Sequence, residues 1–148
     1  MLGRLARYLR FFGHDTSYLR DREDEEIAEQ AIREGRTLLT RDRALAARVP
    51  GALCLHSQQI GEQLREVRDA FPSFDYRPTF DRCAECNEAL VRWAREPGEE
   101  WPAELPRERV EVGLAVYRCP SCGRRYWDGS HTDRIREKVA EWLGGSTA

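Results

Sequence analysis

Leu2, Leu5, Leu9 and Phe12 recur at spacings of three and four along the start of the chain, with Arg4, Arg7 and Arg10 between them. This periodicity predicts an amphipathic helix with a basic outer face, ended by Gly13. Thr16 to Leu19 reads as a short strand. Asp24 opens a second helix, whose apolar positions Ile27, Ala28, Ala31 and Ile32 run up to Gly35. A strand is expected at Thr37 to Thr40, a short helix from Asp42 to Val49 stopped at Pro50, a strand at Ala52 to His56 and a helix from Ile60 to Phe71. Strands that alternate with helices predict an α/β architecture, a parallel sheet wrapped by helices, over about residues 1–75.

The pattern changes after that point. Pro72 to Asp81 has little periodicity and reads as a connector into a second unit, residues 76–148. There, strands at Ala89 to Ala94 and Val112 to Arg118 flank a Pro/Glu-rich insertion, and a last helix is expected from Thr132 to Leu143. No internal repeat is visible.

The second unit carries the clearest chemistry. Cys83-Ala-Glu-Cys86 and Cys119-Pro-Ser-Cys122-Gly are two Cys-x-x-Cys turns that bracket strands. Two thiolates spaced by two residues can face one ion from a tight turn, so the four cysteines predict a zinc ribbon. A site closed by four cysteines has no open position for substrate, and its zinc would be structural. The competing reading, that one pair is a thiol redox motif, fits two bracketing pairs less well. The fifth cysteine, Cys54, sits in the apolar alternation ALCLH and reads as a buried strand residue. An odd cysteine count argues against a secreted disulfide framework.

Charge adds a local asymmetry. Across 148 residues the formal net charge of -2 points to no particular partner. However, the arginine-rich opening abuts an acidic stretch holding Asp21, Glu23, Asp24, Glu25, Glu26 and Glu29. No apolar run approaches the roughly 20 residues of a membrane helix. The opening MLGRLARYLRFF is interrupted by arginines and lacks a small-residue cleavage site, so a cytoplasmic protein is expected.

Asp42 follows a predicted strand and so falls at the carboxyl edge of the sheet, where α/β proteins build their sites. Asp24 opens the preceding helix. Together they could hold magnesium or manganese, which take oxygen ligands, and a metal so held could activate water against a phosphodiester. Spacing alone favours reading both as helix N-caps, a role aspartate fills readily, and Asp21, Glu25 and Glu26 as a solvated face. Arg124, Arg125, Tyr126 and Trp127, with His131 close behind, make a surface suited to single-stranded nucleic acid: guanidinium groups contact phosphates and aromatic rings stack on bases. The same aromatics could instead cap a small ribbon core, and His131 could cap the last helix. Arg4, Arg7, Arg10 and Arg41 join the set as cations that could guide a phosphate backbone.

LGRLARYLR, the acidic DEEI, EGRTLLTRDRAL, the paired cysteines and RYWDGSH, in this order, resemble the Mut-seven C-terminal ribonuclease domain family over almost the whole chain. The resemblance implies a PIN-like nuclease fold followed by a zinc ribbon, with RNA as partner. By position Asp42 matches the family's acid in the TRD motif and Asp24 the acid before the Glu-Glu-Ile helix start; Asp21 is a weaker match. One departure stands out: the family begins with an apolar strand ending in an acid, and this chain opens at the following helix. That implies either a start assigned too late or a form that has lost nuclease activity. The first is expected, because losing a central strand exposes apolar edges. The function so implied is a metal-dependent ribonuclease. Its rivals are a non-catalytic RNA-binding or ribosome-associated zinc-ribbon module and a protein-interaction adaptor.

Overall fold

A computed structural model describes residues 2–144 of the chain. In order, its elements are α1 (Gly3–Phe11), α2 (Asp24–Arg33), β1 (Leu39–Thr40), α3 (Arg43–Arg48), β2 (Leu53–Cys54), α4 (Ile60–Ala70), β3 (Val91–Trp93), α5 (Arg107–Glu111), β4 (Val116–Arg118), β5 (Arg125–Trp127) and α6 (Ser130–Leu143). It is a mixed α/β fold with a small parallel sheet and a separate antiparallel one.

Helix α1 buries Leu5, Tyr8 and Leu9, and Phe12 beyond its end is buried as well. It stops where the apolar pattern said it would. Gly13 takes φ +87°, and the N–H groups of Gly13 and His14 return to the carbonyls of Arg10 and Leu9. That closure needs a left-handed residue, which glycine adopts without a Cβ clash.

The largest core is formed by Leu5, Leu9 and Phe12 of the α1 segment, Leu64 and Val67 of α4, and Ile135, Val139 and Leu143 of α6, with Leu55 beneath them. The C-terminal helix thus packs into the core of the N-terminal half. Burying such side chains stabilises the fold by about 1.5–3 kcal/mol each relative to leaving them in water. Helices α4 and α6 meet closely at Gly61, where an added Cβ would lie 2.7 Å from the Trp142 ring. Arg65 and Arg68 of α4 donate to the carbonyls of Trp142 and Leu143, satisfying groups that the end of α6 leaves open. A second cluster, Ala28, Ala31, Leu38, Leu45 and Val49, joins α2 to α3.

The parallel sheet is smaller than the alternation predicts: β1 and β2 pair Leu39 with Leu53 and Thr40 with Cys54. Thr16 to Leu19 is not a strand. The N–H of Thr16 donates to Asn87 Oδ1 and its carbonyl accepts from Arg10 Nε, so side chains take the place of a ladder there. Cys54 does lie in a strand, but it is half-buried.

The antiparallel sheet has the order β3-β4-β5. Its middle strand starts at Val116, later than the expected Val112, because Gly113 at φ +108° turns the chain and leaves Val112 86% exposed. The Pro/Glu-rich insertion contains α5, which has no buried residue to signal it. Among the described residues, no helix is long and apolar enough to cross a membrane.

Candidate zinc centre and arginine-lined cleft

Sγ atoms of Cys83, Cys86, Cys119 and Cys122 all lie within 4.8 Å of one another. Two matching turns bring them together. In each, the N–H of the second cysteine points at the first sulfur, Cys86 to Cys83 at 3.4 Å and Cys122 to Cys119 at 3.5 Å. The following residue, Asn87 or Gly123, sits at φ +68° or +76° and donates its N–H back to the carbonyl of the first cysteine. The sequence shows the glycine of the second turn; in the first, asparagine, tolerant of the left-handed region, does the same work. Cys83 and Cys119 are fully buried.

The donors fit zinc. Cys83 Sγ and Cys122 Sγ are 3.8 Å apart, and the edge of a tetrahedron with metal–sulfur bonds of about 2.3 Å is about 3.8 Å. When bound, zinc would tie the two turns together; its closed shell of four sulfurs offers no site for water or substrate.

Tyr126 completes this centre. Its hydroxyl lies 3.1 Å from Cys83 Sγ and accepts the N–H of Ala84 at 3.3 Å. Burial and then the hydrogen bond to Cys83 push the phenol's pKa up. Burial opposes the Cys83 thiolate too, but the Tyr126 hydroxyl, the Cys86 amide and the neighbouring thiols outweigh it and hold its pKa below the usual thiol value. Tyr126 therefore caps the ribbon through its hydroxyl, one of the two roles expected of it.

The expected place of Arg10 is corrected. It is 6% exposed and not on an outer face. Its guanidinium donates to the carbonyls of Thr16 at 2.9 Å, Ala84 at 2.7 Å and Glu85 at 3.3 Å. The last two belong to the first cysteine turn, so α1 is fastened directly to the metal centre. Arg82, donating to the carbonyls of Gly13 and Asn87, makes a parallel link.

Between α1, the antiparallel sheet and the start of α6 lies a cleft of about 870 Å³. Arg4, Arg7, Arg124, Arg125, Tyr126, Trp127 and His131 line it. Among the described residues, the side chains of Arg4, Arg124 and His131 have no hydrogen-bond or ion-pair partner. The others are engaged: Arg7 pairs with Glu85, and Arg125 with Glu104 at 3.0 Å while its guanidinium lies over the Trp93 ring. Sequence reasoning missed Arg109, whose Nη2 donates to the Asp128 carbonyl within the same cleft; it lies in the insertion, where no pattern marks it. It also missed the two acids that offset the arginines, Glu85 and Asp128, the latter 2.8 Å from Arg136. Capping of α6 falls to Thr132, whose hydroxyl accepts the Gly129 N–H at 2.9 Å, and not to His131.

The acidic residues lie elsewhere. Asp42 is the N-cap of α3, accepting the Leu45 N–H at 3.0 Å. Asp24 is the first residue of α2, which is capped by Glu23 with Glu26. Asp21 is exposed, with φ +55°. Among the described residues the four cysteines are the one group of three or more potential metal ligands whose donor atoms gather within 4.8 Å, so Asp21, Asp24 and Asp42 do not form such a group. None of them lines the cleft. Arg41 does not line it either; it is half-buried behind β1, its Nε without a partner.

Comparison with curated proteins and with solved structures found no match. The family model described as Mut7-C RNAse domain matches residues 1–139. The motifs at both ends of the chain thus fall within one match, and the chain belongs to the Mut7-C RNAse domain family.

Proposed function

We propose that this protein is a ribonuclease-type protein that takes single-stranded RNA into the arginine-lined cleft. The observation that carries this reading is the convergence of the side chains of Arg4, Arg124 and His131, all without partners among the described residues, on one concave surface. Guanidinium groups there suit phosphate oxygens, and Trp127 offers a ring face for an unpaired base. Arg7 and Arg125 would reach phosphates by exchanging their present carboxylates for them.

The hydrolytic half of the reading assigns magnesium or manganese to Asp42 and Asp24, with Asp21 as a weaker candidate. These carboxylates do not form one donor group among the described residues, and we derive no step through such a metal. That observation favours a second reading, a zinc-ribbon module that binds RNA without cutting it.

Incubation with a labelled single-stranded RNA and manganese, for the wild type and Asp42→Asn, separates the two. Asparagine keeps the N-cap of α3, so loss of cleavage in that variant reports chemistry and not unfolding. Cleavage abolished by the substitution supports the enzyme; binding without cleavage supports the module. Absence of both sinks the RNA reading and leaves the adaptor. Arg124→Glu should weaken binding across sequences and reduce the salt slope by about 1.

A further inference from the structure

Arg10 poses an electrostatic question that the cleft does not answer. A guanidinium is always charged, and one 6% exposed needs a compensating negative group. Its hydrogen-bond partners are three backbone carbonyls and no carboxylate. Burial lowers the Arg10 pKa, and the groups that oppose this are Cys83 and Cys86, then Tyr126, while Arg7 acts with burial. A zinc ion held by four thiolates carries a net charge of about -2.

The connection is also one of bonding. Arg10 Nη1 donates to the Glu85 carbonyl, and the N–H of that same peptide unit, on Cys86, points at Cys83 Sγ. A peptide whose oxygen accepts from a cation is a stronger donor at its nitrogen, since hydrogen bonds in series polarise one another. The Arg10 guanidinium thus polarises the one peptide whose N–H points at the Cys83 sulfur.

We propose that Arg10 is the outer-sphere counter-charge of the zinc centre, so that metal loading and the docking of α1 on the first cysteine turn are one coupled equilibrium. Zinc bound at the four cysteines supplies the negative charge that makes burial of Arg10 favourable. Arg10 in turn raises the affinity of the site for zinc. Loss of the metal leaves a buried cation uncompensated and weakens the hold of α1 on the first cysteine turn. This coupling does not depend on what the cleft binds.

The test is zinc transfer from the full-length protein to a chromophoric chelator, for wild type, Arg10→Gln, Arg10→Lys and Arg82→Gln. Outer-sphere partners of metal ligands are typically worth about 10–100-fold in affinity, and Arg10→Gln is expected to lose zinc affinity in that range. Arg10→Lys should fall between, since an ammonium keeps the charge without the planar fork. Arg82→Gln breaks a link between the same segments without touching the Glu85–Cys86 peptide, and should cost clearly less affinity than Arg10→Gln. Unaltered affinity in Arg10→Gln, or an equal loss in Arg82→Gln, overturns the proposal. If Arg10→Gln does not fold, the cobalt-loaded Arg10→Lys protein decides. A shifted thiolate-to-cobalt charge-transfer band with weaker binding supports the coupling, and a wild-type band with wild-type affinity refutes it.

Discussion

The hydroxyl of Tyr126 points at Sγ of Cys83 from 3.1 Å while accepting the N–H of Ala84. A residue of β5 thereby steadies a ligand in the first cysteine turn. Tyr126→Phe keeps the ring and removes the hydrogen bond, and should weaken zinc binding by about tenfold. Chelator competition measures this, and the variant should still bind RNA if the ring and the cleft are intact.

Much of this centre was legible beforehand. The two Cys-x-x-Cys turns give ligand identity, stoichiometry and likeness to a ribbon, because their spacing is local and geometry follows from it. Helices α1, α2, α4 and α6 were legible because each carries an apolar stripe. Arg10 was misread, and Tyr126 left open between two roles, for a common reason. Their partners are 74 and 43 residues away, and no periodicity records a tertiary contact. Thr16 to Leu19 failed as a strand for the same reason: Asn87 and Arg10 took its hydrogen bonds. Asp42 shows the opposite case, in which a local rule, N-capping, accounts for the residue without any ligand.

Packing of α4 on α6 depends on the missing side chain of Gly61. A Cβ there would stand 2.7 Å from the Trp142 ring, which itself lies edge-on to Tyr8 with centroids 5.2 Å apart. Gly61→Val should destabilise the protein by about 1–3 kcal/mol through overpacking, measured by chemical denaturation. Adding Trp142→Leu should recover part of that loss, and a double-mutant cycle with zero coupling would refute the contact.

Acid sensitivity has a specific contributor. Asp15 receives hydrogen bonds first from Arg36 and then from Asn87, which hold its carboxyl below the usual carboxylate value. A folded pKa below the unfolded one adds stability that is complete above the ordinary carboxylate range. That stability is lost as pH falls through it toward the folded value. The difference in stability between wild type and Asp15→Asn should therefore be largest near neutrality and shrink on acidification. A difference that grows as pH falls would contradict this sign.

Glu85 holds Arg7 at the mouth of the cleft. Removing its charge with Glu85→Gln frees an arginine for phosphate and should tighten RNA binding a few-fold, with a steeper salt slope. Glu88→Gln is the control, since Glu88 is exposed and outside the cleft. Equal gains in both variants would mean that net charge alone, and not the Arg7–Glu85 pair, sets the affinity.

One core takes Leu5 and Leu9 from near the start of the chain and Val139 and Leu143 from its last described helix. On a ribosome, the apolar face of α1 meets α4 first, and the core they share stays open until α6 follows. The cysteine turns, complete at residue 122, can close before that. Synthesis thus imposes an order in which the metal centre can gather the ribbon before the core closes, and a nascent chain arrested between the two would expose the α6-facing side of that core to chaperones or aggregation.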